Sequence, residues 1–382
     1  LPYAWELDRA GGGRPVVVNS FELHTLSCSS AALEAAAIDA DRSDPPHGTI
    51  VRCDGHPTGV LLEEAAQWVR DVIPARSSGQ YRSDVLRGIE DLRRYGYVEI
   101  HEMRAEVRLA EVLTTLEKQG VSLPLCRLYA PRAHLSEVWR VVSEADSRKV
   151  VFGGLKLFAD GTLSGRTALM CAPYGDPCES TDNGRAPDEG RKDRVQGASE
   201  RTNGRFMFAA GELEALFAEA GRTGYGVAVH ALGDGAVRRT LDAYQRVGAC
   251  PTEAGFPLRI EHAQFIAPED IDRFAQMEVI ASLQPCHLLV DEQVMRRTVG
   301  DRLTRAFPLR DLVQAYRRAG LPVERYLLLG SDTPVVRPDP LDNVQAAVYR
   351  RRSDQDSGQA VSLHQAISED LCWRLMQAPT VD

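Results

Sequence analysis

Four ionisable residues stand at or near the end of short apolar runs. Lys156 lies in Val-Phe-Gly-Gly-Leu-Lys-Leu-Phe-Ala-Asp-Gly, and His230 in Gly-Val-Ala-Val-His-Ala-Leu-Gly-Asp. His262 closes Leu-Arg-Ile-Glu-His, and Asp332 follows Leu-Leu-Leu-Gly-Ser. A charge or an imidazole at the end of a buried strand is costly unless it is paired or bound to a metal. Four such positions in four strand–helix units predict side chains converging on one mouth of a parallel barrel. Two neutral imidazoles and a carboxylate suit zinc or a similar divalent ion, one or two per site. A buried lysine can be a base, a Schiff-base former or, once carbamylated, an anionic metal bridge. Asp332 suits both metal binding and general-base catalysis. Each residue also has a plainer reading. Lys156 pairs with Asp160 or snorkels to solvent, the two histidines are satisfied core residues, and Asp332 caps a helix.

Weaker candidates surround these four. His101 ends Val-Glu-Ile-His, Gln284 and His287 follow Ile-Ala-Ser-Leu, Tyr174 lies in Cys-Ala-Pro-Tyr-Gly-Asp, and His24 lies in Phe-Glu-Leu-His-Thr. For each, a structural role or a supporting contact to substrate or ligand is at least as good a reading as direct chemistry. His47, His56, His134 and His364 sit in polar surroundings and read as surface residues. The run Ala-Gly-Gly-Gly-Arg near the start precedes no helix, so it is not a phosphate site.

The elements that must position these residues follow a regular pattern. Apolar runs at 97–103, 123–129, 151–160, 226–232, 258–264, 279–284 and 326–330 read as strands. Amphipathic stretches at 104–119, 135–145, 211–223 and 235–247 read as helices between them. Another helix opens at Pro268, with acids just after the proline. The alternation predicts an α/β fold with a parallel sheet, closed or doubly wound, and a barrel would be one strand short at its N-terminal side. Residues 1–95 read as an insertion or cap over the barrel mouth, 96–349 as barrel strands two to eight, and 350–382 as an atypical tail. Within the tail, 350–359 is highly charged and expected to be solvated. Segment 179–205 is long, polar and glycine-rich, and reads as a mobile lid or a disordered excursion.

The 382 residues carry a net charge of -9, which gives no basic footprint for nucleic acid. No apolar run is long enough to span a bilayer. The first residues lack the form of a signal peptide, and there is no initiator Met. Eight scattered cysteines without a Cys-x-x-Cys pair read as reduced thiols in a cytoplasm. The partner expected is a small-molecule substrate, with no nucleic acid and no membrane; self-association is left open.

The runs around Lys156 (through Gly-Thr-Leu-Ser-Gly-Arg-Thr-Ala), His230, His262-Ala-Gln and Gly-Ser-Asp332-Thr-Pro-Val resemble the amidohydrolase superfamily. More narrowly they resemble its amidohydrolase-3 branch, which includes N-substituted formamide deformylases. The resemblance runs from about Leu7 to about Tyr349. It implies a (β/α)8 TIM-type barrel with a divalent metal centre at its C-terminal mouth. It also implies that Lys156 is the carboxylated bridging ligand, that His230 and His262 are ligands, and that Asp332 binds metal and acts as base. Asp160 and Arg166 match positions of the branch's lysine motif. Three departures stand out: no His-x-His pair occurs, Ser29 replaces an asparagine common in the branch, and the C-terminal segment that completes a small β-domain is missing. The first strand and the β-domain are therefore expected to be absent, as in a chain truncated at both ends or a decayed gene. Two main readings result: a metal-dependent hydrolase of an amide or other C–N bond in a small molecule, working by metal-activated hydroxide, or an inactive homologue that only binds a ligand. A Schiff-base lyase using Lys156 is a third.

Overall fold

The structure, a computed structural model, describes residues 1–20, 23–175, 202–248, 256–356 and 359–377. Its centre is a curled parallel sheet of seven strands: β5 (Glu99–Glu102), β6 (Leu125–Pro131), β7 (Val150–Phe158), β8 (Gly226–Ala231), β9 (Leu258–His262), β10 (Ile280–Leu283) and β11 (Leu327–Leu329). They lie side by side in chain order, so every pairing joins consecutive strands. All seven overlap the strands expected from the apolar runs. Ser331, just past β11, neighbours the Tyr97 hydroxyl just before β5, so the two ends of the sheet curl toward one another.

Helices cover the outside of the sheet. The helix Pro268–Gln276 begins as expected, with Pro at its first position and Glu269 and Asp270 in its first turn. The main core forms between the strands and these helices, with Leu155, Val229, Ile260, Phe217, Tyr244 and Phe274 buried in it. Glycines let β7 and β8 approach closely: Gly154 has φ +133°, and a Cβ there would run into the Gly226 carbonyl. The helix Ser78–Arg94 escaped the sequence reading. Ser77 caps it reciprocally with Gln80, and its Ile89 joins a second cluster with Leu113, Leu116 and Leu128.

The residues expected to form a cap carry a sheet of their own. β1 (Val17–Asn19), β2 (Thr25–Cys28), β3 (Gly48–Cys53) and β4 (His56–Glu63) form a separate antiparallel sheet, in the order β1-β2-β4-β3. Its β3–β4 hairpin turns at Asp54 and Gly55, both at positive φ. That is the two-residue turn whose twist matches flanking strands, and Asp-Gly favours it. Leu26, Ile50, Leu61, Ala65 and Val69 give this sheet its own core.

The tail is also corrected. Arg350, expected in solvent, is fully buried. It donates to the carbonyls of Val361 (3.0 Å), Phe307 (3.3 Å) and Ala306 (2.6 Å). Past it, the helix Glu369–Gln377 buries Leu371, Cys372 and Leu375. Of the expected lid, residues 179–201 lie outside the described residues. No helix among the described residues is long and apolar enough to cross a membrane.

Candidate functional site

Each parallel strand ends at the same mouth of the sheet, and the loops there shape a pocket of about 490 Å³, its open mouth included. Its polar lining contains His24, His230, His262, His287, Asp291 and Asp332, and its apolar lining includes Leu163, Leu232, Val294 and Val335. The four imidazoles stand in file. Ring centroids are 5.4 Å apart from His24 to His230, 4.5 Å from His230 to His262, and 6.1 Å from His262 to His287. His287 Nε2 then lies 3.7 Å from Asp332 Oδ2.

Local structure explains how the chain holds this row. His230, near the end of β8, is 3% exposed, and its Nε2 faces the Gly161 carbonyl at 3.1 Å. A carbonyl only accepts, so Nε2 carries the hydrogen and Nδ1 is left as the electron-pair donor. His262 ends β9 at φ +72°, and Asp332 follows β11 at φ +58°. Positive φ is uncommon for residues with a side chain, and such conformations collect at functional sites. Burial first, and then neighbouring positive groups, hold His230 and His262 well below the usual histidine range. Both are therefore neutral, the form that binds metal.

Lys156 is 4% exposed and does not line the pocket itself. Its Nζ lies 4.9 Å from the centre of the Phe158 ring, and no carboxylate among the described residues is within ion-pair distance. The expected partner Asp160 is engaged elsewhere. Burial pushes the Lys156 ammonium down to about 8, against the pull of Glu261 and Asp332. Desolvation by its surroundings raises the Asp332 carboxyl, opposed by His287 and Lys156. Asp332 keeps 38% of its side chain exposed.

The remaining candidates divide clearly. His24 and His287 line the pocket. His287 is 8% exposed, and its Nε2 has no hydrogen-bond partner. Gln284 lies just behind the lining; its Nε2 donates to the Ser282 carbonyl, and its Oε1 is unpartnered. Asp160 is a tie between loops: it accepts the backbone N–H groups of Leu169, Leu232 and Gly233, each at 2.9 Å. Tyr174 is buried and donates its hydroxyl to the Ala168 carbonyl at 2.6 Å, away from the pocket lining. Arg166 sits in the turn after β7 at φ +54°, also outside the lining.

His101 stands apart from the row. It pairs in register with Arg127, and Arg127 with Val151, well before Lys156 on β7. Its Nε2 lies 3.0 Å from Glu99, and its Nδ1 is 2.7 Å from Arg259 NH1. Arg259 in turn holds Glu261 at 2.8 Å and Ser282 at 3.2 Å. Burial raises the Glu261 carboxyl, but Arg259 and Lys156 outweigh it and the net shift is downward. His101→Ala is expected to leave metal content unchanged while destabilising the fold by about 1–3 kcal/mol, the cost of orphaned buried partners. Metal analysis alongside urea unfolding checks both halves.

Sequence reasoning missed Glu63, Arg259, Glu261, Gln264 and Asp291. Glu261 stood beside His262 in the motif itself, but the ion pair that defines it comes from Arg259, two residues earlier on the same strand face. Asp291 lies one helical turn after His287, a spacing that could have flagged it.

The donor types fit a divalent cation: two neutral imidazoles side by side, one buried and one half-buried, a third imidazole with an unpaired nitrogen, and a carboxylate beside it. Among the described residues, however, no three His, Cys, Asp or Glu side chains stand at metal-ligand spacing.

Residues 1–368 match the model of the amidohydrolase family. The chain is 32% identical over 371 residues to the amidohydrolase YtcJ of Bacillus subtilis (strain 168), covering 92% of this chain and 62% of that protein. It is 23% identical over 393 residues to the N-substituted formamide deformylase of Arthrobacter pascens, covering 98% of this chain and 65% of the relative. The chain thus spans about three-fifths of the length of these curated relatives. A crystal structure of an uncharacterized metal-dependent hydrolase from Pyrococcus horikoshii OT3 shares the fold, with a TM-score of 0.70 at 24% identity, covering 97% of this chain and 67% of that one.

Proposed function

This chain belongs to the amidohydrolase family, and from that premise we propose that its pocket hydrolyses an amide or another C–N bond of a small molecule with the help of a divalent metal, zinc being the first choice. The observation that carries the reading is the adjacent pair of neutral imidazoles, His230 buried and His262 half-buried, with His287 and Asp332 continuing the row at the same mouth. His230 Nδ1, His262, Asp332 and Lys156 are the groups that would hold the metal. Lys156 would do so as a carbamate: its neutral amine attacks carbon dioxide, an N–C bond forms, and the released proton goes to solvent. A buried amine brought down to about 8 keeps the neutral fraction that this step needs.

A bound divalent ion supplies an activated water and polarises the carbonyl of the substrate. The side chains of the chain do the rest. Asp332 Oδ2 takes the proton from the attacking water and returns it to the departing nitrogen, so the C–N bond breaks with a neutral amine leaving. Its partly exposed position leaves it able to reach both atoms. Leu163, Leu232, Val294 and Val335 shed water around the scissile bond, and Thr162, Ser164 and Gln264 offer hydrogen bonds to the body of the substrate.

Metal analysis of the purified chain tests the reading. About one or two ions per chain, together with turnover of members of a small-amide panel, is the expected result. A second reading, a barrel that binds a ligand without catalysis, is favoured by one observation: the donors are not at ligand spacing among the described residues. A cooperatively folded protein that takes up no divalent metal and turns over no amide would establish that reading instead.

A further inference from the structure

Acids near the mouth mostly find partners within the fold. Glu63, at the end of β4, has His24 Nδ1 at 2.7 Å from one oxygen and the Thr167 hydroxyl donating to the other at 2.7 Å. Asp160 takes three backbone N–H groups. Glu292 accepts from Arg296 Nε at 2.8 Å and from Gln355 Nε2 at 2.7 Å. Asp291, the residue before it, lines the pocket instead. Among the described residues no lysine or arginine stands within ion-pair distance of it. His287 Nδ1 lies 3.7 Å from its Oδ2, too far for a hydrogen bond.

The helix His287–Val299 aims this carboxylate. His287, Asp291 and Val294 recur at spacings of four and three, which places them on one face, and all three line the pocket. His287 is 8% exposed and stands between two carboxylates, 3.7 Å from Asp291 on one side and 3.7 Å from Asp332 on the other. The two acids are therefore one imidazole ring apart. Their duties differ. Asp332 and a carbamate on Lys156 would together balance the two charges of one divalent ion, which leaves the Asp291 charge over. The pocket lining offers no lysine or arginine to meet it among the described residues. Its side chain is 36% exposed, with Val294 on the same helix face, so water screens the charge only in part. A carboxylate so placed attracts a cation and repels an anion more strongly than one in open solvent.

We propose that Asp291 is a specificity-determining residue that binds an ammonium group of the substrate, so that the pocket takes amides carrying a cationic amine a few bonds from the scissile carbonyl. The inference rests on the amide-hydrolase reading of the pocket and narrows it by charge. An ammonium donates charge-assisted hydrogen bonds to the carboxylate, while its short methylene stem lies against Val294. An amide bearing a carboxylate at the same place meets Asp291 as a like charge and is rejected.

The test measures dissociation constants of three amides for the full chain by ligand-observed NMR titration. N-acetyl-1,3-diaminopropane carries the ammonium, N-butylacetamide is its uncharged twin, and N-acetyl-β-alanine carries a carboxylate. The cationic amide is expected to bind about tenfold more tightly than the twin, the worth of one hydrogen bond to a charged group in a half-exposed wall, and the anionic amide more weakly than the twin. That preference should shrink between about 0.01 M and about 1 M salt, as screening shortens the reach of the charge. Asp291→Asn is expected to erase the difference between the cationic amide and its twin, and Asp291→Glu to keep the order of the three. Should Asp291→Asn not fold, the salt dependence of the unaltered chain decides. Equal affinities for the three amides, a preference that survives Asp291→Asn or high salt, or no binding of the cationic amide would overturn the proposal. None of those results bears on whether the chain is a metal-dependent hydrolase, which metal content and turnover decide separately.

Discussion

Alanine at position 262 is expected to strip the chain of bound metal and to lower kcat/KM about a thousandfold, the rate equivalent of about 4 kcal/mol of transition-state stabilisation. His262 is the residue through which the row is continuous. Its ring is the neighbour of His230 on one side and of His287 on the other. It is held neutral by burial, and its backbone is bent into positive φ at the end of β9, which turns the ring toward the mouth. Alanine tolerates positive φ less well than histidine does, so a stability loss of about 1–2 kcal/mol should accompany the loss of metal. Metal analysis, steady-state kinetics and urea unfolding on one preparation separate the two effects. A variant that stays fully loaded with metal would remove His262 from the ligand set and leave His287, with its unpaired Nε2, as the first replacement.

The second large effect is expected far from the pocket. Arg350→Met should cost about 3–4 kcal/mol of folding stability, read as a lower urea midpoint at constant slope. The guanidinium is fully buried with no carboxylate beside it among the described residues, and burial pushes its pKa down. Three backbone carbonyls from two separate segments supply its solvation instead. Methionine fills much of the same space but removes the side-chain donor from the Val361 and Ala306 carbonyls, while the Phe307 carbonyl keeps the Leu309 N–H at 2.8 Å, and unpaired buried acceptors are expensive. Arg350→Lys should recover part of the loss, because one ammonium cannot reach three diverging acceptors as a planar fork does. A change under about 1 kcal/mol for methionine would mean that the carbonyls have other donors.

Arg350 also marks the limit of what the sequence discloses. A run of charges in a tail reads as solvated, because composition cannot reveal that one member turns inward to bind buried backbone carbonyls. The repeating strands were legible because each is a short, nearly continuous apolar run, the signature of a strand buried on both faces. The row His230, His262 and Asp332 was legible for the same reason: a polar residue that ends such a run has one place to go. His101 carried the same signal and belongs elsewhere. Its strand is the edge β5, and its ring is taken up by Glu99 and by Arg259 from a strand 158 residues away in sequence. Glu63 was invisible because it meets His24 and Thr167, positions that only tertiary structure assembles. The small antiparallel sheet was half legible. The pairing of β2 with β4 spans residues too far apart for any local pattern.

Glu63, at the end of β4, lies 2.7 Å from His24 Nδ1 and accepts the Thr167 hydroxyl at 2.7 Å, a clasp between the two sheets that has a thermodynamic corollary. Any molecule that fills the pocket and touches His24 binds only when the antiparallel sheet is docked, so binding and docking are linked equilibria. At a hundred times its dissociation constant such a molecule adds about 2.7 kcal/mol to the docked state. The amides of β2 and β4, more than twenty residues from the strand ends that carry the chemistry, should then exchange their hydrogens with solvent more slowly. The first sixty-odd residues would thus report occupancy of a site most of whose wall they do not build.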